Sequence, residues 1–300
     1  MTRAPARPFA VLLAALLLCG AGRAHGQFID YAFGQTGCAE DGGLARAGFE
    51  ARDDERPGGG PSAGLGGGPL GASTLSVEVP ELGETRDMLL FVPVDYDAAR
   101  ALPLVVVLHG APGSAAAAPA AADSMRTLWS VLAEREDVIV LAPIAAGSQG
   151  GWVPDRDQPA IACALAELAR RYPIDLDRRY LWGFSAGAHF GHALALGNAG
   201  RFAAYAINAG ALYALACGAT GTTFDCATTL PGALRPLPVS LRVGRSDSLR
   251  TYVEGDRGRL LQAGWTDGAE LSYGEFTGGH SVSIADAEAA WAWFAPRQRP

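Results

Sequence analysis

The stretch RRYLWGFSAGAHFGHALAL sets Gly183, Ser185 and Gly187 in a G-x-S-x-G pattern. A serine hydroxyl is too weak an acid to attack a carbonyl carbon at neutral pH. It becomes a nucleophile when a histidine removes its proton and a carboxylate orients that histidine. With 39 glycines in 300 residues, the pattern arises by chance in roughly one such chain in four, so its partners and context must decide.

The chain holds five histidines. His25 lies in a removable leader, His109 precedes the serine, and His189 and His192 occupy the helix expected to follow it. His280, in TGGHSV after the last predicted strand, is left in the chain order serine, acid, histidine. For the acid, Asp247 follows PVSLRVGRS, 33 residues before His280, in a loop at a strand end where sites of open α/β sheets gather. Glu254, Asp256 and Asp267 compete, but their places on or beside a predicted surface helix make solvation the simpler expectation.

Such chemistry also needs two backbone N–H groups for the oxyanion. Ala186, after the serine, supplies one. In LVVVLHGAPGS the His109-Gly110 turn offers Ala111 N–H as the second, since Pro112 has none, which leaves His109 a structural part. Trp152 in GSQGGWVPD and Phe184 are candidates for lining a substrate pocket, with ordinary hydrophobic anchoring an equal alternative for Trp152. His189 and His192 stand i, i+3 without a third ligand at metal-enzyme spacing, so no metal and no cofactor is expected.

The elements that must position these residues begin near Ser73. Strands are predicted at Leu75–Val79, Met88–Val92, Leu104–Leu108, Val138–Leu141, Tyr180–Phe184, Phe202–Ile207, Pro238–Val243 and Leu271–Phe276. Helices are predicted at Asp123–Glu134, Pro159–Arg171, Ala186–Leu196, Tyr252–Ala263 and Ile284–Phe294. Fully apolar runs such as LVVVL alternating with helices imply a mostly parallel sheet. Ser185 then falls on the tight turn from strand to helix, where flanking glycines avoid collision with both.

Arg3 and Arg7 before the ten-residue apolar run Phe9–Leu18 read as a signal peptide over 1–26. That run is shorter than the about 20 residues of a membrane span, so no transmembrane anchor is expected after processing. The expected location is secreted or periplasmic, with lipoprotein anchoring through Cys19 ranked second. Four cysteines then remain, an even number suited to disulfides in an exported chain. The short Cys217 to Cys226 separation favours that pair and leaves Cys38 with Cys163. Residues 57–71 contain eight glycines and three prolines, so 27–72 is expected to be an irregular segment and mobile linker, with 73–300 as the catalytic domain. Gly66, Gly68 and Gly71 spell G-x-G-x-x-G, but without the strand and helix a dinucleotide site requires. The net charge of −7 and the absence of lysine argue against nucleic acid and exclude a P-loop, a Schiff base and a Ser-Lys dyad.

PLVVVLHGAPGS and RRYPIDLDRRYLWGFSAGA resemble the strand, oxyanion turn and Y-x-I-D-x-x-R-x-Y-x-x-G-x-S-x-G approach of the polyhydroxybutyrate depolymerase, feruloyl esterase and related secreted carboxylesterase group of α/β-hydrolases. The likeness runs from Leu89 to Trp293. It implies the α/β-hydrolase fold, a mostly parallel central sheet with helices on both faces, and the triad Ser185, Asp247 and His280. Ala111, Pro112 and Gly113 depart from the Cys-Gly-Gly often found in that group. The segment Ala211–Leu237 is individual to this chain and is expected to carry specificity. The expectation is an exported serine esterase acting on a small-molecule, lipid or polymer ester. Acyl transfer or peptide hydrolysis would use the same residues, and a non-catalytic exported binding protein is the remaining alternative.

Overall fold

The structure is a computed structural model describing Cys38, residues 59–212 and residues 236–299. The expected leader with Cys19, the Cys217–Cys226 pair and residues 213–235 lie outside the described residues.

Among the described residues eight strands form one sheet: β1 (Gly71–Val79), β2 (Glu84–Val92), β3 (Leu102–Leu108), β4 (Ile139–Pro143), β5 (Ile174–Phe184), β6 (Ala204–Asn208), β7 (Val239–Gly244) and β8 (Leu271–Phe276). Their order is β1-β2-β4-β3-β5-β6-β7-β8. The first two strands join antiparallel, and every pairing from β4 to β8 is parallel. β3 (LPLVVVL) is buried at every residue, as a strand covered on both faces must be. β1, at the edge, instead alternates exposed and buried positions over most of its length, the period-2 pattern of a half-covered strand.

Among the described residues five α-helices cover the sheet: α1 (Ala118–Glu136), α2 (Pro154–Arg171), α3 (Ala186–Gly197), α4 (Arg250–Gln262) and α5 (Ile284–Phe294). One face packs Trp129 of α1 and Trp291 and Phe294 of α5 against Val105, Val107, Tyr180 and Trp182. The other packs α2, α3 and α4 through Leu165, Leu168, Phe190, Leu194, Val253 and Leu260 against Val106, Leu181, Ile207 and Leu241. Helices on both faces of a mostly parallel sheet are the expected architecture.

Several boundaries differ from expectation for identifiable reasons. α1 begins in the alanine run near Ala118, where helix propensity is high but no apolar stripe announces it. α2 starts at Pro154 rather than Pro159, because the Asp157 carboxylate reaches back to Val153 N–H at 2.6 Å and holds the first turn. β5 extends back to Ile174 through the polar residues of IDLDRR.

The Gly/Pro-rich residues 59–70 are irregular but docked, contrary to a free linker. Ser62 N–H donates to Ile174 O at 2.8 Å, and Leu176 N–H to Gly60 O at 2.9 Å. Ser62 Oγ donates to Tyr172 O at 2.8 Å, and Tyr172 OH to Pro69 O at 2.8 Å. A Cβ on Gly64 would run into the Tyr172 backbone, so glycine allows the chain to lie this close. Cys38 is disulfide-bonded to Cys163 of α2 across 125 residues. Asp256 is also not solvated as expected. It is fully buried on α4, accepts Leu212 N–H at 2.7 Å and pairs with Arg259 at 3.0 Å.

Candidate active site

The carboxyl ends of β3, β5, β7 and β8 bring the chemistry-bearing residues together. Ser185 sits between β5 and α3 with φ 55° and ψ −120°, a backbone state that costs a non-glycine residue about 1–3 kcal/mol unless its surroundings impose it. They do so on three sides. Ser185 N–H donates to Asn208 O at 3.0 Å on β6, and Ser185 O accepts Ala188 and His189 N–H at 2.9 and 3.0 Å. A Cβ on Gly183 would stand 2.5 Å from Gly187 O, and one on Gly187 2.5 Å from His109 O. Both positions therefore need glycine for the turn to close.

His280 approaches from the loop after β8. Its Nε2 lies 2.8 Å from Ser185 Oγ and its Nδ1 2.9 Å from Asp247 Oδ2. Asp247 follows β7, and its side chain is fully buried whereas that of His280 is 35% exposed. Its other oxygen accepts Leu249 N–H at 2.9 Å, and its own N–H donates to Gly244 O at 3.0 Å. The carboxylate is thus fixed in rotamer and directed at the imidazole. The Phe184 ring packs against His280 with centroids 5.1 Å apart, a further contact on the imidazole.

The turn after β3 stands beside the serine, since a Cβ on Gly110 would lie 3.1 Å from Ser185 Cβ. His109 fixes that turn. Its buried ring accepts Ala145 N–H on Nε2 at 3.1 Å, which leaves the proton on Nδ1 to donate to Gly110 O at 2.7 Å. Burial pushes the His109 imidazole below its ordinary pKa, favouring this neutral form. In a trans peptide the N–H opposes the C=O, so tethering Gly110 O sets the direction of Ala111 N–H. Neither Ala111 N–H nor Ala186 N–H has a hydrogen-bond acceptor among the described residues. Both donors are available to a ligand.

Trp152 is an anchor of this turn. Its Nε1–H donates to His109 O at 2.9 Å, and its ring stacks on Phe190 at 5.1 Å and packs on His109 at 4.9 Å. The loop that carries it is held from below by buried Asp157, which accepts Ala146 N–H at 3.0 Å and pairs with Arg86 at 2.9 Å. Burial raises the Asp157 pKa against the pull of these bonds. Sequence reasoning did not single out Asp157 or Arg86. Their separation of 71 residues gives no local signal. The two histidines of α3 serve separate partners. His189 Nδ1 accepts Ala211 N–H at 2.8 Å, and His192 Nδ1 meets Tyr205 OH at 3.2 Å.

No family profile matches the chain, and no curated protein matches it. Solved structures do. A thermostable esterase superposes with a TM-score of 0.60 at 21% identity, covering 76% of this chain and 63% of that one. This chain therefore spans less than two thirds of that esterase's length. A ferulic acid esterase gives 0.55 at 15% identity over 74% of this chain and 96% of that one. A fluorophosphonate-binding serine hydrolase of Staphylococcus aureus gives 0.55 at 15% identity, over 75% and 98%. At these identities the shared property is the fold, and the chain has the α/β-hydrolase fold.

Proposed function

We propose that this chain is a serine hydrolase of carboxylic esters. The observation that carries the reading is the continuous hydrogen-bonded series from Ser185 through His280 to Asp247, at 2.8 and 2.9 Å. These distances lie within the range a proton transfer needs. His280 Nε2 takes the Ser185 proton as Oγ attacks the ester carbonyl carbon. Asp247 orients the imidazole and stabilises the imidazolium. The carbonyl oxygen, now negative, is held by Ala186 N–H and Ala111 N–H. His280 then protonates the departing alcohol, and water repeats the sequence on the acyl-enzyme to release the acid.

The similar structures include esterases and also a dipeptidyl peptidase, so the choice of an ester over a peptide bond rests on the resemblance of the Ser185 approach. By resemblance of the Ser185 approach, the finer assignment is to the polyhydroxybutyrate depolymerase and feruloyl esterase group, with residues 73–300 as the catalytic domain. The Cys38–Cys163 disulfide supports an oxidising location, in keeping with a leader over 1–26. The test is hydrolysis of a panel of p-nitrophenyl esters from acetate to octanoate by purified protein and by His280→Gln. Turnover lost by about 10³-fold or more in the variant is expected. Absence of turnover on the whole panel contradicts the reading.

A further inference from the structure

Between β7, the edge strand β8 and helix α5 the sheet leaves a cleft of about 320 Å³, lined in part by Ser240, Arg242, Ser272, Ala289, Ala292 and Trp293. It lies on the α5 face, below the strand ends that carry the triad. Ser240 is only 6% exposed, yet its hydroxyl has no hydrogen-bond partner among the described residues, and the Ser272 hydroxyl has none either. The Trp293 Nε1–H is buried and has no hydrogen-bond partner among the described residues. A buried donor left this way is costly unless something binds it, whereas the two hydroxyls open onto the cleft and are free to meet a ligand.

Arg242 and Asp286 balance in charge, so the net positive charge beside the cleft is that of Arg297. Arg242 pairs with Asp286 through Nε alone, at 3.2 Å. Its two terminal nitrogens have no hydrogen-bond partner among the described residues, its guanidinium carbon stands 5.8 Å from the centroid of the Phe276 ring, and its side chain is 26% exposed. The second oxygen of Asp286 accepts both Ser283 N–H and Ser283 Oγ at 2.9 Å in the cap of α5, so it is engaged away from the terminal nitrogens of Arg242. The Arg297 guanidinium stacks 3.2 Å above the Trp293 ring and contributes a second cation nearby. The remaining walls are apolar: the methyls of Ala289 and Ala292 and the Trp293 ring.

We propose that this cleft is a binding site for a small monocarboxylate with an apolar body. The carboxylate would take the free edge of Arg242 and the hydroxyls of Ser240 and Ser272, and its body would lie on Trp293 and the two alanines. A guanidinium presents paired donors at the spacing of a carboxylate. An inorganic phosphate would leave the apolar wall uncovered and carry more charge than the single net positive charge of Arg242, Arg297 and Asp286 answers. The volume is at the lower end for ligand pockets, about 300–1,000 Å³, which limits the body to roughly one ring or a short chain. None of these residues belongs to the triad or its oxyanion donors, so the site stands independently of the proposed hydrolysis.

The test uses the full chain carrying Ser185→Ala, which removes turnover from the readout. Sodium benzoate, sodium acetate and inorganic phosphate are titrated by calorimetry at constant ionic strength. Saturable benzoate binding is expected, with acetate weaker and phosphate weakest. Ser240→Ala/Ser272→Ala and, separately, Arg242→Gln should each weaken benzoate by about tenfold or more. Arg242→Gln leaves Asp286 with one partner fewer and could disturb α5. The serine double variant removes only two unpaired hydroxyls and keeps the test valid if Arg242→Gln does not fold. Three results overturn the proposal: no saturable benzoate binding, phosphate binding as tightly as benzoate, or benzoate binding unchanged in the serine double variant.

Discussion

Replacing Gly187 with alanine perturbs the site without touching a reacting atom. The new Cβ would stand 2.5 Å from His109 O and closer still to Leu108 O. Both are backbone atoms of the strand end that begins the oxyanion turn. A carbon normally approaches a carbonyl oxygen to about 3.3 Å or more, so β3 and α3 must separate by roughly 0.8 Å. That displacement carries Ala111 N–H away from Ser185. Misplacement on the order of 1 Å in a reacting constellation lowers rate by about 10²-fold, or about 2.7 kcal/mol of transition-state stabilisation. Overpacking should also reduce stability by about 1–3 kcal/mol. Gly258→Ala is the matched control, since its Cβ would meet nothing within 4 Å. In a helix interior that change should stabilise by about 0.5–1 kcal/mol and leave rate unchanged. The assay is kcat/KM on p-nitrophenyl butyrate beside urea unfolding of both variants. Gly187→Ala within threefold of wild-type kcat/KM would refute the close-packing argument.

His192 is fully buried, and that burial pushes its imidazole from 6.5 down to about 3. The unfolded chain binds the proton near 6.5 and the folded chain only near 3, so stability should fall as pH drops through that window, by at most about 5 kcal/mol. His192→Gln should flatten the urea midpoint between pH 6.5 and 4, and an unchanged slope counts against this. Asp177 ties both described ends of the domain to β5, accepting Gly60 N–H at 2.7 Å and the Arg299 guanidinium at 3.1 Å. Asp177→Asn should lose about 1–3 kcal/mol by urea unfolding, because nearly buried Arg299 loses its counter-charge. Stability equal to wild type contradicts that role.

The amino-acid order carried much of the architecture because its signals are local. LVVVL announces a strand covered on both faces, and the expected bounds of β8 and α5 coincide with the observed ones. Ser185, His280 and Asp247 could be chosen because the chain is poor in histidine and each falls at a strand end. Features made by distant pairings were not readable. Asp256 looked solvated because Leu212, whose N–H it accepts, is 44 residues away. The glycines of 59–70 looked like a free linker because nothing local reveals Tyr172 as their support. Trp152 had two equal readings, which only its bond to His109 O separates.

The central claim is that Ser185 is a nucleophile made reactive by His280. Purified protein is treated with a fluorophosphonate probe, digested and mapped by mass spectrometry, beside Ser185→Ala. One adduct is expected on the peptide containing Ser185, with none on the variant. An unlabelled wild-type chain, or a label that survives Ser185→Ala, would contradict the account.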